Sequence, residues 1–396
     1  MIVEAASKMP VTLESIEALS EARREPAWLR DLRREHLFSF AEAAPQFGRY
    51  SRLRLDWREL AVGSSQIGRP PRVAGMQEGP DARVWSPLST AVRSMDKGVF
   101  AERFRAQGPW DRLVLAGWEE GHALSWMPGK VQPDVVHLPL ACPGGLVLEP
   151  ILLDVADRCE ASLFVHWQGG SEQALHLSTV GGRVGQSARL KLFVLHDGGS
   201  AHRHLSIRLN LDRDASVDVF TAWVGGRWTV ARYCGEMSEP GGSWKESHIV
   251  LGSGREHVDL DSQVRHVTQH TSSDVQVRTV ASGASRTVFT GNILMEKNAE
   301  LSQAYLADHV LLLSPEARAD SIPGLEIQAL DVKAAHAASV GQVDEDQLYY
   351  IQSRGMDPAR ARHLIVVGFL ESLFDRAPFP MIPEVLDPIL ESRVIA

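Results

Sequence analysis

One histidine near the C-terminus stands in surroundings that would leave a ligand site uncrowded. His336 lies between Ala334, Ala335, Ala337 and Ala338. A neutral imidazole can bind iron or zinc through one nitrogen while a neighbouring group holds the other nitrogen. A lone histidine is also commonly a core residue, so the local sequence leaves both interpretations open. Because small neighbours let another backbone come close, the run favours a site shared between two chains.

Two other groups of histidines have spacings that suggest metal binding. His202 and His204 would share one face of a strand, and His257, His266 and His270 could supply three imidazoles. The last two would share a face only on a helix, which the Val-Thr-Gln between them does not favour. We therefore expect ordinary surface or core roles for both groups.

The residues of self-sufficient catalysis are missing from the sequence. Cys142, Cys159 and Cys234 are widely spaced and form neither a CxxC pair nor a zinc pattern. They are expected to be small buried hydrophobic residues. The sequence has no phosphate-binding loop, nucleophile elbow or HExxH motif. We predict that this chain is not an enzyme and binds no nucleotide itself.

Composition narrows the class of protein. The chain has 396 residues, 44% hydrophobic and 23% charged, with a net charge of −9. This balance is typical of a soluble globular protein, and the acidic charge argues against nucleic-acid binding. No apolar run approaches the ~18 residues of a membrane span, and the N-terminus lacks the features of a signal peptide. We expect a cytoplasmic protein that binds neither membrane nor nucleic acid.

A repeat in the middle of the chain indicates the fold. Small residues precede alternating apolar stretches at Ala161, Ala188, Ala215 and Gly242, 27 residues apart each time. A fixed period of this length is typical of a solenoid, and period-two alternation makes its units strands. The pattern favours a mainly β protein built as a parallel β-helix. A β-sandwich, which also has many short strands, is the rival interpretation.

Helical segments flank this repeat. Residues 11–44 and 90–107 read as helical, whereas 49–89 read as loop. Near the C-terminus, Asp344 and Gln347 begin one helix like a capping box, and Gly355 ends it. Asp357 and Pro358 begin a second helix that is apolar on nearly every face. We predict a helical and loop region over 1–112, a β-helix core over 113–340 and a helical domain over 341–396, with helices capping the solenoid's open ends.

The C-terminal part of the chain resembles a known family. The stretch Asp331–Gly355 is similar to the C-terminal signature of the SufB/SufD family of iron–sulfur cluster assembly proteins. The similarity continues upstream through Phe289-Thr-Gly-Asn-Ile293 and Leu311–Ile327, and is dense over roughly 286–376. It implies a right-handed parallel β-helix between helical segments. Length and the lack of a cysteine set point to the SufD branch.

The resemblance also implies partners. It implies a non-catalytic scaffold subunit of a SufBCD-type complex, which pairs with a SufB-like homologue and binds a SufC-like ABC ATPase through its C-terminal helices. A homodimer in isolation stays open. The residues expected to bind the ATPase are Asp344, Gln347, Tyr350, Arg354, Gly355, Leu364 and Phe369.

For His336, the resemblance implies a metal-binding role at the subunit interface. His336 aligns with the family histidine implicated in holding the nascent cluster, but Ala334 stands where the signature often has cysteine. This chain would then give one nitrogen ligand to a transient iron–sulfur cluster, and the partner would supply the sulfur ligands. Two alternatives are kept: a homodimeric interaction protein without a cluster role, and a β-helix polysaccharide enzyme using Asp259, Asp261 and Asp274.

Overall fold

The computed structural model describes residues 11–42, 85–126, 135–142, 144–172, 174–197 and 199–394. It is a mainly β protein built as a parallel β-solenoid of about seven turns, with helices before and after it. The predicted fold class is therefore confirmed, whereas the right-handed coiling stays a prediction. The loop predicted over 49–89 lies outside the described residues up to residue 84. Residues 85–89 form a short strand and the start of a helix instead.

Each turn of the solenoid gives one strand to each of two sheets. The nine-stranded sheet has the order β1-β2-β4-β6-β8-β10-β12-β14-β16. Its strands are β1 (Trp85–Pro87), β2 (His122–Trp126), β4 (Gly145–Val155), β6 (Ala174–Val184), β8 (His202–Leu211), β10 (Trp228–Met237), β12 (His257–His266), β14 (Arg286–Met295) and β16 (Arg318–Ile327).

The eight-stranded sheet has the order β17-β15-β13-β11-β9-β7-β5-β3. Its strands are β3 (Val136–Ala141), β5 (Glu160–Gln168), β7 (Arg189–Asp197), β9 (Ser216–Val224), β11 (Ser243–Gly252), β13 (Ser272–Ala281), β15 (Ser302–Leu312) and β17 (Val332–Gln342). Neighbouring strands are parallel and come from successive turns, except that β1 is antiparallel to β2. This topology excludes the β-sandwich interpretation.

The repeat that indicated the fold marks one corner of the solenoid. Ala188, Ala215 and Gly242 stack there in turns of 27 residues, as predicted. Ala161 does not join them, because the turn between β5 and β7 has 29 residues. Cys159 occupies the corner in that turn, where its carbonyl accepts a hydrogen bond from the next turn at 2.8 Å. Successive corners lie one strand spacing apart, about 4.8 Å, which leaves room only for small side chains.

The N-terminal helices pack on the outer face of the nine-stranded sheet. They are α1 (Leu13–Arg23), α2 (Ala27–Glu42), α3 (Leu88–Ala91), α4 (Lys97–Arg103) and α5 (Pro109–Gly117), with a 3₁₀ turn over Val92–Ser94. Fully buried Arg33 joins α2 to α5 by donating to the carbonyls of Ala116 (3.0 Å) and Trp118 (2.9 Å). Its charge is paired with Glu25 at 2.8 Å. Predicted domain boundary 112/113 falls inside α5, and the domain division stays a prediction.

The C-terminal helices lie beside the solenoid and not across its end. They are α6 (Glu345–Ser353), α7 (Pro358–Phe374) and α8 (Ile382–Val394). Their apolar side chains pack on the outer face of the eight-stranded sheet. The buried residues on the two sides of this contact include Phe193, Phe220, Ile249, Leu251, Val366, Leu370, Ile382 and Leu386. The expectation that helices cap the C-terminal end is therefore wrong, because the outer sheet face offers a larger apolar surface.

Among the described residues, no helix is both long and apolar enough to cross a membrane.

Candidate functional site at the open end of the solenoid

The C-terminal end of the solenoid is an open edge of both sheets. Strand β17 pairs only with β15, and β16 pairs only with β14. Nearly all residues of both strands are exposed or only half-buried. Unpaired strand edges that face solvent are templates for pairing with another chain. The end of the solenoid is therefore suited to a partner.

His336 lies on the edge strand and belongs to its inner face. It is directly opposite Leu306, a fully buried core residue, and opposite residues of parallel strands share a face. Ala334 packs on the core from that same face. Because the end is open, His336 is nevertheless exposed. Its imidazole thus stands at the mouth of the solenoid, beside small side chains that leave space for a ligand.

A buried carboxyl lies on the strand next to His336. Asp308 is opposite Ala338 and is 1% exposed. Among the described residues neither of its oxygens accepts a hydrogen bond of good geometry. Burial raises the pKa of Asp308 to about 6, against the opposing effects of Ser321 and Arg278. The sequence analysis missed this residue, although a carboxylate within an otherwise apolar inner row was the available signal.

An apolar groove separates helices α6 and α7 from the end of the eight-stranded sheet. Its volume is about 500 Å³. Four of the predicted ATPase-binding residues line it: Asp344, Gln347, Leu364 and Phe369. Leu364 is 50% exposed, an unusual state for a leucine in a helix that packs on a sheet. The ring of Phe369 faces Arg278 of β13, whose guanidinium carbon lies 5.7 Å from the ring centroid.

The other predicted ATPase-binding residues lie on α6 or end it. Tyr350 and Arg354 are exposed, and the Arg354 guanidinium donates to the Tyr350 hydroxyl at 3.0 Å. Gly355 has a φ of 91°, the left-handed conformation expected after a helix C-terminus. Asp344 begins the helix by accepting from the backbone of Asp346 (2.9 Å) and Gln347 (3.3 Å). The helix boundaries are thus as predicted, while ATPase binding stays a prediction.

Comparison with known proteins decides the family. The family model of the SUF system FeS cluster assembly SufBD core domain matches residues 141–369, more than half of the chain. This chain belongs to the SufBD family. An iron–sulfur cluster assembly SufBD family protein of Mycobacterium bovis is 29% identical over 369 residues, covering 86% of this chain and 91% of the relative.

Two further SufBD relatives match shorter parts of the chain. The iron–sulfur cluster assembly protein SufD of Bacillus subtilis is 33% identical over 146 residues, 37% of this chain and 33% of its own length. A SufBD family protein of Synechocystis is 24% identical over 228 residues, 58% of this chain and 44% of its own. The chain is thus a SufD-like member of an iron–sulfur cluster assembly family.

The structure does not bring the other histidines together. In this SufBD chain His204 bonds Asp111 at 3.2 Å beneath helix α5. His266 bonds the hydroxyls of Thr271 (2.7 Å) and Ser273 (2.8 Å) inside the solenoid, and His270 lies in an exposed turn. Among the described residues no group of three histidine, cysteine or carboxylate side chains could hold a metal ion.

The three aspartates of the polysaccharide-enzyme alternative are also separated. Asp259 and Asp261 lie on β12 of the nine-stranded sheet. Asp274 lies on β13 of the other sheet, where it is paired with Arg376 at 2.8 Å. Acid–base chemistry on a sugar needs its carboxyl groups on both sides of one bond. These three residues do not provide that arrangement.

Proposed function

We propose that this chain is a SufD-like, non-catalytic scaffold subunit that pairs with a SufB-like homologue through strands β16 and β17. The observation that carries the proposal is the position of His336, exposed on an unpaired edge strand yet facing the interior of the solenoid. A partner strand pairing with this edge would close the mouth around the imidazole. The site is incomplete without that second chain.

The cargo of this site would be a transient iron–sulfur cluster. His336 is the one side chain of the edge strand with a soft enough nitrogen to ligate iron, and Ala334 offers no thiolate. The sulfur ligands then come from the partner, which gives a mixed site of the kind in which imidazole replaces thiolate. Small inward side chains at 334 and 338 leave space for a cluster.

The groove between α6, α7 and the sheet is the proposed binding surface for a SufC-like ABC ATPase. Helix α7 is tied to the sheet through Arg376, which donates to the Ser247 hydroxyl at 3.2 Å and pairs with Asp274 at 2.8 Å. A pull on the helices during ATP-driven dimerisation of the ATPase would therefore reach the sheet whose last strand carries His336. In this account nucleotide hydrolysis belongs to the partner, and the present chain transmits the movement.

Coexpression tests the proposed partners. The tagged chain is expressed with a SufB-like and a SufC-like protein from the same source, and native mass spectrometry identifies the complexes. We expect one copy of this chain with one SufB-like subunit and bound ATPase. A stable homodimer that excludes the SufB-like protein would contradict the proposal and favour the homodimeric interaction protein.

A further inference from the structure

A charged cluster lies inside the solenoid at the opposite end from His336. Glu149 of β4 is joined to His122 of β2 (Oε1 to Nε2, 3.2 Å) and to His176 of β6 (Oε2 to Nε2, 2.8 Å). The three side chains are between 1% and 4% exposed. Buried charges are rare unless they are paired or functional. Neither the proposed pairing nor the cluster-binding role uses this group.

The contacts decide which nitrogen of each imidazole carries a proton. Trp85 Nε1–H donates to His122 Nδ1 at 2.9 Å, so the proton of His122 is on Nε2 and points at Glu149. His176 likewise directs Nε2–H at Glu149, which leaves its Nδ1 toward the other side. That Nδ1 is buried and has no hydrogen-bond partner of good geometry among the described residues. Hydrogen bonds from both histidines outweigh burial and hold the pKa of Glu149 at about 2.

A thiol occupies the free side of His176. Cys142 directly follows β3 and packs with Ala174 and Ala201, and Ala174 precedes His176 by two residues on the same face of β6. Burial would raise the pKa of the thiol, but hydrogen bonding to His176 and the charges of His176 and Arg203 lower it. Burial would lower the pKa of His176, yet Cys142 and Glu149 raise it. Both shifts favour a thiolate beside an imidazolium.

We propose that Cys142 is a nucleophilic thiolate and a site of oxidation by small peroxides, with His176 as its base and Glu149 as the group that positions His176. The arrangement is that of an activated nucleophile, with a base within reach and a carboxylate behind the base. A peroxide is small enough for a thiol of 6% exposure. Sulfur lies at the reactive end of this row, and nothing else in the row is nucleophilic.

The proposed step is balanced without a further reactant. The thiolate sulfur attacks one peroxide oxygen, a sulfur–oxygen bond forms and the oxygen–oxygen bond breaks. The sulfur is oxidised to sulfenic acid, and the peroxide is reduced. His176 Nδ1–H gives its proton to the departing hydroxide, which leaves as water. Neutral His176 then remains bonded to Glu149.

The chain contains a matched control for this thiol. Cys234 is also 6% exposed, but its sulfur accepts from the Arg208 guanidinium at 3.3 Å and has no histidine beside it. Burial raises the pKa of Cys234. Cys159 is fully buried. Equal exposure with different neighbours therefore predicts different reactivity.

The test uses the full-length chain, dilute hydrogen peroxide and a sulfenic-acid trap, with each cysteine followed by peptide mass spectrometry. We expect Cys142 to be trapped at least about tenfold faster than Cys234, because reactivity follows the thiolate fraction. His176→Asn and Glu149→Gln should slow trapping at Cys142 about tenfold and leave Cys234 unchanged. Equal rates at the two cysteines would overturn the proposal, as would an unchanged rate in folded His176→Asn.

A second measurement holds even if the variants fail to fold. Alkylation of the unmodified chain by iodoacetamide is followed against pH at each cysteine. The rate at Cys142 should level off well below pH ~8.5, the ordinary value for a thiol. A rate that rises only above that pH would overturn the assignment of a thiolate.

Discussion

Asp308 and His336 show how two neighbouring inner-face residues differ when the solenoid end is open. His336 keeps contact with solvent, whereas Asp308, on the strand below, is buried without a partner of good geometry. Ionising a buried carboxyl costs free energy, which explains why the pKa of Asp308 is raised to about 6. The mouth is thus lined by a free imidazole above a destabilising carboxylate.

Asp308→Asn should stabilise the chain at neutral pH. The folded pKa of about 6 lies above the value of 3.8 expected when unfolded. Stability is therefore complete below about pH 4 and is lost as pH rises through 6, by roughly 3 kcal/mol at pH 7.5. Urea unfolding at pH 4.5 and 7.5 measures this, and the gain should be largest at 7.5. Asp320→Asn is the control, because Asp320 is half-exposed and paired with Arg286. A variant destabilised at both pH values would contradict the account.

The residues inside the solenoid could have been predicted only with the period in hand. His122, Glu149 and His176 are separated by 27 residues each, the length of one turn. Thr221 and His248 are bonded at the same spacing. Polar residues one turn apart are thus a signal that single histidines do not give. The position of Cys142 against His176 could not be predicted, because it depends on where β3 ends.

At the scale of elements, strand β17 is the surface on which pairing depends. Its inner face carries His336 and Ala338, and its outer face carries Ala335. Both alanines are exposed, so neither supports the fold of the isolated chain. They differ only in the face that they present to a partner.

Ala338→Lys should weaken pairing with the SufB-like subunit at least about tenfold, because a charge would be enclosed at the mouth. Ala335→Lys on the outer face is the matched control, and should change the dissociation constant by less than about threefold. Calorimetric titration of the separate subunits measures both. Equal effects of the two lysines would show that the mouth does not face the partner.

Leu364→Glu should abolish binding of the SufC-like ATPase and leave the thermal unfolding temperature almost unchanged. Leu364 is half-exposed on the rim of the apolar groove, so a carboxylate there meets water in the free chain but is buried in the complex. Arg362→Ala, exposed two residues earlier on α7, is the control. Copurified ATPase measures binding. Undiminished ATPase with Leu364→Glu would place the binding surface elsewhere.

Helix boundaries could be predicted from local chemistry, but helix positions could not. Asp344, Asp357 and Pro358 begin the helices where expected, because capping is decided by a few adjacent residues. The surface that α7 covers depends on apolar side chains from five strands, including Phe193 and Phe220. No short stretch of sequence carries that information. This explains why a cap over the solenoid end was expected and lateral packing was found.

At the scale of the whole molecule, each sheet is covered by helices on its outer face, and the last two strands are left open. Removing residues 344–396 would uncover buried Phe193, Phe220, Ile249 and Leu251 together. Exposed apolar patches of this kind lead to aggregation. We expect the shortened chain to elute as soluble aggregates in size-exclusion chromatography and to bind an apolar dye. A monomeric, cooperatively folding product would contradict the structural role of α7 and α8.

The central claim is that His336 ligates the transient cluster at the interface of a SufBCD-type complex. The complex is assembled with wild-type chain, His336→Ala or His309→Ala, reconstituted anaerobically, and assayed for iron and acid-labile sulfide. His309 is the control because it lies on the neighbouring strand, where it is bonded to Ser339 at 2.6 Å. The account predicts that His336→Ala lowers the cluster content severalfold in an intact complex, while His309→Ala does not. Unchanged cluster content in His336→Ala would contradict it.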